Sequence, residues 1–135
     1  MSKQLNHILL IDDDKATNFL HQIVIEEHGC CQKITSVSGA QEALEFLTNP
    51  IEGQYPNPDF IFLDINMPGT NGWEFLKSYR NLTTEQRGQS IIIMLTTSFN
   101  PFDMEKAKHI EEVADFKNKP ISLEMLDDLL RQFFN

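Results

Sequence analysis

Four apolar runs or segments of this chain stop at side chains that can do phosphoryl or cation chemistry. Asp12 and Asp13 follow Ile8-Leu9-Leu10-Ile11, and Asp64 closes Phe60-Ile61-Phe62-Leu63. Thr96 and Thr97 follow Ile91-Ile92-Ile93-Met94-Leu95, and Lys119 precedes Pro120. Two carboxylates about 4 Å apart repel by about 4 kcal/mol at an effective dielectric of 20, so three that meet in one crevice need a cation. A hard, oxygen-seeking divalent ion suits such donors, and few protein ligands leave room on it for water and phosphate. Mg²⁺ is the first choice and Mn²⁺ the alternative. An ammonium and a hydroxyl facing that ion can hold a phosphoryl group. Asp64 lies between them and can attack phosphorus as a carboxylate nucleophile, giving an acyl phosphate. Singly, each residue has an ordinary use; an Asp after a strand caps the next helix, as expected of Asp14. The information lies in four strand ends that carry matching chemistry.

The elements that must position these residues follow from the pattern. The three apolar runs are continuous rather than alternating, which suits strands of a parallel sheet covered on both faces. Lys33 to Val37 and Asp115 to Asn118 read as two weaker strands. Helical spacing is shown by Ala16, Phe19, Leu20 and Ile23, by Ala40, Ala43, Leu44 and Leu47, and by Phe75, Leu76, Tyr79 and Leu82 after a Thr70-Asn71-Gly72 turn. A weaker helical pattern covers Asp103 to Val113, and Leu123, Leu126, Leu130 and Phe133 close the chain with a strong one. The βα unit thus recurs five times, which argues for an α/β domain with helices on both faces of a parallel sheet. Ligands of such sheets bind beyond the carboxyl ends of the strands, where the residues named above collect. Thr48 to Asp59 is a long connection for its kind, and it enters the third strand on the opposite side from that crevice.

Ile8-Leu9-Leu10-Ile11-Asp12-Asp13-Asp14, Phe62-Leu63-Asp64-Ile65-Asn66-Met67-Pro68 with Gly72, Met94-Leu95-Thr96, and Lys119-Pro120 together resemble the receiver domain of bacterial two-component response regulators. The resemblance covers essentially the whole chain and is closest to the stand-alone, chemotaxis-regulator-like type. It implies a flavodoxin-like, doubly wound (βα)5 fold with a five-stranded parallel sheet of order 2-1-3-4-5. It also implies a phosphorelay role: Asp64 accepts a phosphoryl group from a sensor histidine kinase or a histidine phosphotransfer protein, and protein contacts change in response. By the same resemblance Asp13 and Asp64 ligate Mg²⁺ directly, with the backbone carbonyl of Asn66, while Asp12 acts largely through water. Lys119 contacts the phosphoryl group, Thr96 is the switch hydroxyl and Phe116 the switch aromatic. Such a protein catalyses only its own phosphorylation and dephosphorylation. Two departures stand out. Thr96 to Lys119 is 23 positions, one more than family members usually show. Either the loop holding Asn100-Pro101 carries an insertion or Thr97 is the switch residue; Thr96 is preferred because it directly follows the apolar run. The small Gly-Ala pair often found ahead of the switch aromatic is replaced by Val113-Ala114-Asp115.

Composition narrows the field. The 135 residues fit one domain, expected to be a single receiver over residues 1–135 without an output domain. Eleven Lys and Arg against twenty Asp and Glu give a net charge of −9, which phosphate backbones and anionic lipid repel, so neither nucleic acid nor membrane is an expected partner. The adjacent Cys30 and Cys31 read as small, partly buried thiols of a reducing compartment. No secretory leader core and no apolar run near the roughly 20 residues of a membrane span is present, so the expected location is the cytoplasm. A downstream protein target is implied, and the fourth-helix, fifth-strand and last-helix face is the expected output surface, with a homodimer through it as an extension. Two other classes share features of the pattern. A flavodoxin-like flavin electron carrier would want hydroxyl and amide donors where Asp12-Asp13-Asp14 would repel a flavin phosphate. An aspartyl-phosphate-forming hydrolase would need a cap and a dedicated acid, for which the chain has little room.

Overall fold

The computed structural model describes residues 4–65, 72–97 and 100–134. Asn66, to which the resemblance gives a backbone-carbonyl ligand, lies outside the described residues, as do Met67, Pro68, Thr70 and Asn71. Five parallel strands make one sheet: β1 (Leu5–Ile11), β2 (Cys31–Val37), β3 (Phe60–Asp64), β4 (Ile91–Thr96) and β5 (Val113–Asn118), in the order β2-β1-β3-β4-β5. The helices are α1 (Lys15–His28), α2 (Ala40–Thr48), α3 (Gly72–Arg80), α4 (Thr84–Arg87), α5 (Pro101–Lys108) and α6 (Leu123–Phe134). The strand order and the alternation of strands and helices match the expectation. The single turn of α4 is an addition, started by a reciprocal cap between Thr83 and Gln86 and too short to leave a periodic signal. The helix expected over Asp103 to Val113 stops at Lys108, and β5 already begins at Val113.

The continuous apolar runs are buried on both faces because β1, β3 and β4 are the central strands. Their alternate side chains feed two cores. Leu9, Ile11, Ile61, Leu63, Ile92 and Met94 pack with residues of α2 and α3 and with Ala107 of α5. Ile8, Leu10, Phe60, Phe62, Ile93 and Leu95 pack with Ile25 of α1 and Leu126, Leu129 and Leu130 of α6. The rings of Phe133 and Phe134 stand edge-on to Phe60, so both join this second core. Residues 49–59 cross at the amino ends of the strands: the Asp59 carboxylate accepts from the backbone N–H of Asn6 at 2.7 Å and of His7 at 3.2 Å. Cys30 is buried and Cys31 partly buried, both as free thiols; burial first, and then the neighbouring Cys31, pushes the Cys30 thiol up to about 11.

α1 departs from its predicted face. The stripe Ala16, Phe19, Leu20, Ile23 has core spacing, yet Phe19, Leu20 and Ile23 are 65%, 58% and 43% exposed. Asn18, His21 and Ile25 face inward instead. Local chemistry sets this rotation. The Asp14 carboxylate caps the helix, accepting from Ala16 N at 3.0 Å and from the Thr17 hydroxyl at 2.9 Å. Asn18 then donates its amide to the carbonyls of Asp12 (2.9 Å) and Val37 (3.3 Å), which close β1 and β2. His21 accepts from the backbone N–H of Ile121. An apolar stripe turned inward would leave those buried backbone groups without partners, at about 1–3 kcal/mol each. Stability measurements check the rotation. Ile25→Ala is expected to cost about 2–5 kcal/mol, as for a buried aliphatic truncation. Phe19→Ser and Leu20→Ser should each stay within about 0.5 kcal/mol, as surface changes do. Denaturant midpoints showing equal losses at all three positions would return the Phe19–Leu20 stripe to the core.

Candidate functional site

The carboxyl ends of β1 and β3 bring the acidic residues together. Asp12 and Asp13 leave the end of β1 and Asp64 is the last residue of β3; one carboxylate oxygen from each lies within 4.8 Å of the others. Asp64 is 5% exposed and Asp12 is buried, whereas Asp13 opens to solvent. Lys119, one residue past β5, reaches across the sheet edge. Its ammonium stands 2.5 Å from Asp12 Oδ2 and 3.2 Å from Asp64 Oδ1. Burial alone would depress the Lys119 pKa, but the hydrogen bond and charge of Asp12, followed by Asp64, more than offset it and raise the value. The ammonium is therefore held charged.

Backbone bonds hold Asp12 and the Lys119 main chain. Asp12 Oδ1 accepts from Asp14 N at 2.9 Å, so the acidic loop folds back on itself. Behind Asp64, α3 starts so close that a Cβ on Gly72 would come within 2.9 Å of the Asp64 carbonyl oxygen. Gly72 N–H also donates to the Ile65 carbonyl at 2.9 Å. Only a residue without a side chain permits that approach, which accounts for glycine at the helix start. Lys119 N–H donates to the Thr96 carbonyl at 2.7 Å, tying the Lys119 backbone to the end of β4. Thr96 is fully buried and pairs with Asn118. Thr97 is exposed and lines a shallow pocket of about 220 Å³ with Thr17, Leu20, His21, Lys119 and Pro120.

The extra position between Thr96 and Lys119 has a structural home. Ile92 pairs with Val113, but the next residue, Ile93, pairs with Asp115, so Ala114 is a one-residue bulge in β5. The bulge leaves one residue of β5, between Thr96 and Lys119, outside the pairing with β4. It also lies where Val113-Ala114-Asp115 departs from the small pair of the motif. Beyond it Phe116 pairs with Met94 and is half-buried, lining a cleft of about 120 Å³ with Met104, Ala107 and Lys108.

The structure thus brings Asp12, Asp13, Asp64 and Lys119 into one cluster, with Thr96 bonded to the Lys119 backbone and Phe116 farther along β5. Asn18 and His21 had no assigned role in the sequence. Their one signal was two polar side chains, three apart, on either side of Phe19-Leu20. Three carboxylates in reach of one point are a hard-oxygen donor set that fits a divalent cation of the Mg²⁺ type. Among the described residues no helix is long and apolar enough to cross a membrane.

Known proteins share this fold. The family model of the response regulator receiver domain matches residues 8–131. A crystal structure of a two-component response regulator from Cytophaga hutchinsonii is 30% identical, superposes with a TM-score of 0.83, and aligns over 96% of this chain and 97% of that one. Sporulation initiation phosphotransferase F of Bacillus subtilis (strain 168) is 25% identical over 127 residues, 93% of this chain and 91% of that protein. The sensory transduction protein LytT of Oceanobacillus iheyensis is 28% identical over 118 residues, which are 87% of this chain but 44% of that protein. The chain therefore spans less than half the length of that relative. These matches give no support to the flavin-carrier and hydrolase readings. With a family model covering nearly the whole chain and a receiver fold built around an aspartate cluster, the chain belongs to the response regulator receiver domain family.

Proposed function

We propose that Asp64 is the phosphoacceptor of a two-component phosphorelay, taking its phosphoryl group from a sensor histidine kinase or a histidine phosphotransfer protein. The observation that carries this reading is the cluster itself: three carboxylates within 4.8 Å and one ammonium bonded to two of them. In the transfer, an Asp64 carboxylate oxygen attacks phosphorus. The P–N bond of the donor phosphohistidine breaks, and its electron pair returns to the imidazole nitrogen. Asp12, Asp13 and Asp64 would hold Mg²⁺, or Mn²⁺ in its place, and the ion when bound supplies charge neutralisation for the phosphoryl oxygens. The backbone carbonyl of Asn66 completes that ligand set by resemblance. Lys119 leaves Asp64 to pair with a phosphoryl oxygen, a charge-assisted contact of the kind that stabilises developing negative charge. Because acceptor, cation ligands and ammonium all belong to this chain, it carries out its own phosphorylation from a small acyl phosphate.

The same reading takes residues 1–135 as one receiver working in the cytoplasm, with output through the α5–β5–α6 face. Thr96 is its switch hydroxyl and Phe116 its switch aromatic. Support comes from the bulge at Ala114, which keeps Thr96 in register with Asn118 despite the longer spacing.

Intact-mass measurement after incubation with acetyl phosphate and Mg²⁺ tests the acceptor. The unmodified protein should gain one phosphoryl group and Asp64→Asn none, since the amide keeps the shape but is barely nucleophilic. Equal labelling of both proteins would overturn the assignment. Thermal melts test the cation site. Mg²⁺ at a hundredfold excess over its Kd should add about 2.7 kcal/mol of stability. Asp13→Asn should weaken that response more than Asp12→Asn, and a melting curve indifferent to millimolar Mg²⁺ would count against the site. The switch is tested by Thr96→Ala, which should still take phosphate at Asp64 yet bind its target like the unphosphorylated protein. A hydroxyl bonded to the charged phosphoryl contributes about 1.5–3 kcal/mol to the active state. If Thr97→Ala uncouples phosphorylation from binding instead, the hydroxyl belongs to Thr97.

A further inference from the structure

We infer that His21 is a positioning residue for Lys119, acting through a hydrogen bond to the segment that carries the ammonium. The inference rests on the reading of Asp64 as phosphoacceptor. His21 is 2% exposed, and its Nε2 accepts from the backbone N–H of Ile121 at 3.2 Å. Lys119, Pro120 and Ile121 open the connection from β5 to α6, which runs to Ser122. Pro120 has no N–H to donate. The two N–H groups that remain are both used: Lys119 donates to the Thr96 carbonyl of β4, and Ile121 donates to His21 of α1. The ammonium thus sits on a short span anchored at both ends, and the α1 anchor is a side chain.

Packing alone does not call for imidazole at this position. The place is buried on the inward side of α1, one turn from Ile25 of the second core. What an aliphatic lacks is an acceptor for the buried Ile121 N–H, which would then be left unpaired. The bond requires Nε2 to be the unprotonated nitrogen, so the ring is neutral with its hydrogen on Nδ1. Burial keeps the imidazole in that form, and the Lys119 charge adds to the effect while Asp12 opposes it. His21 itself bonds to none of the carboxylates. Its effect reaches them through the geometry of Lys119, whose Nζ must meet both Asp12 and Asp64.

The test uses the full chain with His21→Leu, His21→Gln, Lys119→Ala and the Leu/Ala double variant. Two measurements are made: the rate of phosphoryl uptake from acetyl phosphate by intact mass, and Mg²⁺ affinity from the melting temperature. His21→Leu should slow uptake about tenfold, the equivalent of one lost net hydrogen bond. His21→Gln, with an amide oxygen at similar reach, should recover most of that rate. In the Lys119→Ala background His21→Leu should cost nothing further, because both changes remove one function. Freed from its anchor, the ammonium should compete less well for the carboxylates, so His21→Leu should also bind Mg²⁺ more tightly. Uptake by His21→Leu at the unmodified rate would overturn the inference, and so would the same slowing in the Lys119→Ala background. If the Leu variant does not fold, His21→Met replaces it, with the same expectations. If the unmodified protein takes up no phosphoryl group, the Asp64 reading fails. The Mg²⁺ measurement then decides the inference separately, an unchanged affinity in His21→Leu overturning it.

Discussion

Mutual repulsion among three aspartates is the constraint around which this fold is arranged. At an effective dielectric of 20, each pair of unit charges about 4 Å apart costs about 4 kcal/mol. Asp12, Asp13 and Asp64 lie within 4.8 Å of one another, and one ammonium cannot neutralise three carboxylates. The cluster persists because the groups are fixed to buried strands whose packing does not depend on them. β1 and β3 pair directly, from Ile8 with Phe60 to Ile11 with Leu63, and their side chains fill both cores. The residual negative charge then serves as a built-in affinity for a cation. Stability stored in the sheet is used to hold a site that opposes folding.

Lys119 ties that site to the rest of the molecule. It comes from the far side of the sheet, after β5, and bridges to the ends of β1 and β3. The strand order makes this bridge informative, because β4 lies between β3 and β5. The Lys119 N–H in turn holds the Thr96 carbonyl, at the end of β4. The two carboxylates and the end of β4 thus meet at one residue.

Most of the site was legible in the sequence because chemistry and strand boundary coincide there. Apolar runs that stop at Asp12, Asp64 and Thr96 announce both a buried strand and what stands at its end. Asp14 was legible as a cap for the same kind of reason. The face of α1 was not legible. Phe19-Leu20-Ile23 and Asn18-His21-Ile25 are both valid helical stripes, and hydrophobicity favours the wrong one. What decides between them is the set of backbone groups at Asp12, Val37 and Ile121 that need partners, and these are known only when the strands are in place. The bulge at Ala114 was visible only as one surplus position. Its location depends on pairing with β4, which no local pattern records. α4 is a single turn, below the length at which periodicity exists.

The rotation of α1 has a consequence beyond packing. Turning Asn18 and His21 inward puts polar side chains under the site, where they hold the ends of β1 and β2 and the turn after β5. The same rotation necessarily turns Phe19, Leu20 and Ile23 outward. Leu20 then lines the shallow pocket beside Lys119 and Pro120, next to the acidic cluster. An apolar surface at this spot is costly to leave in water, at about 25 cal/mol for each Å². The internal requirement for hydrogen-bond partners and the outward turn of an apolar surface beside Lys119 are thus two sides of one helix orientation. A variant that satisfied the buried backbone groups by other means would lose the reason for the orientation, and with it the apolar surface beside Lys119.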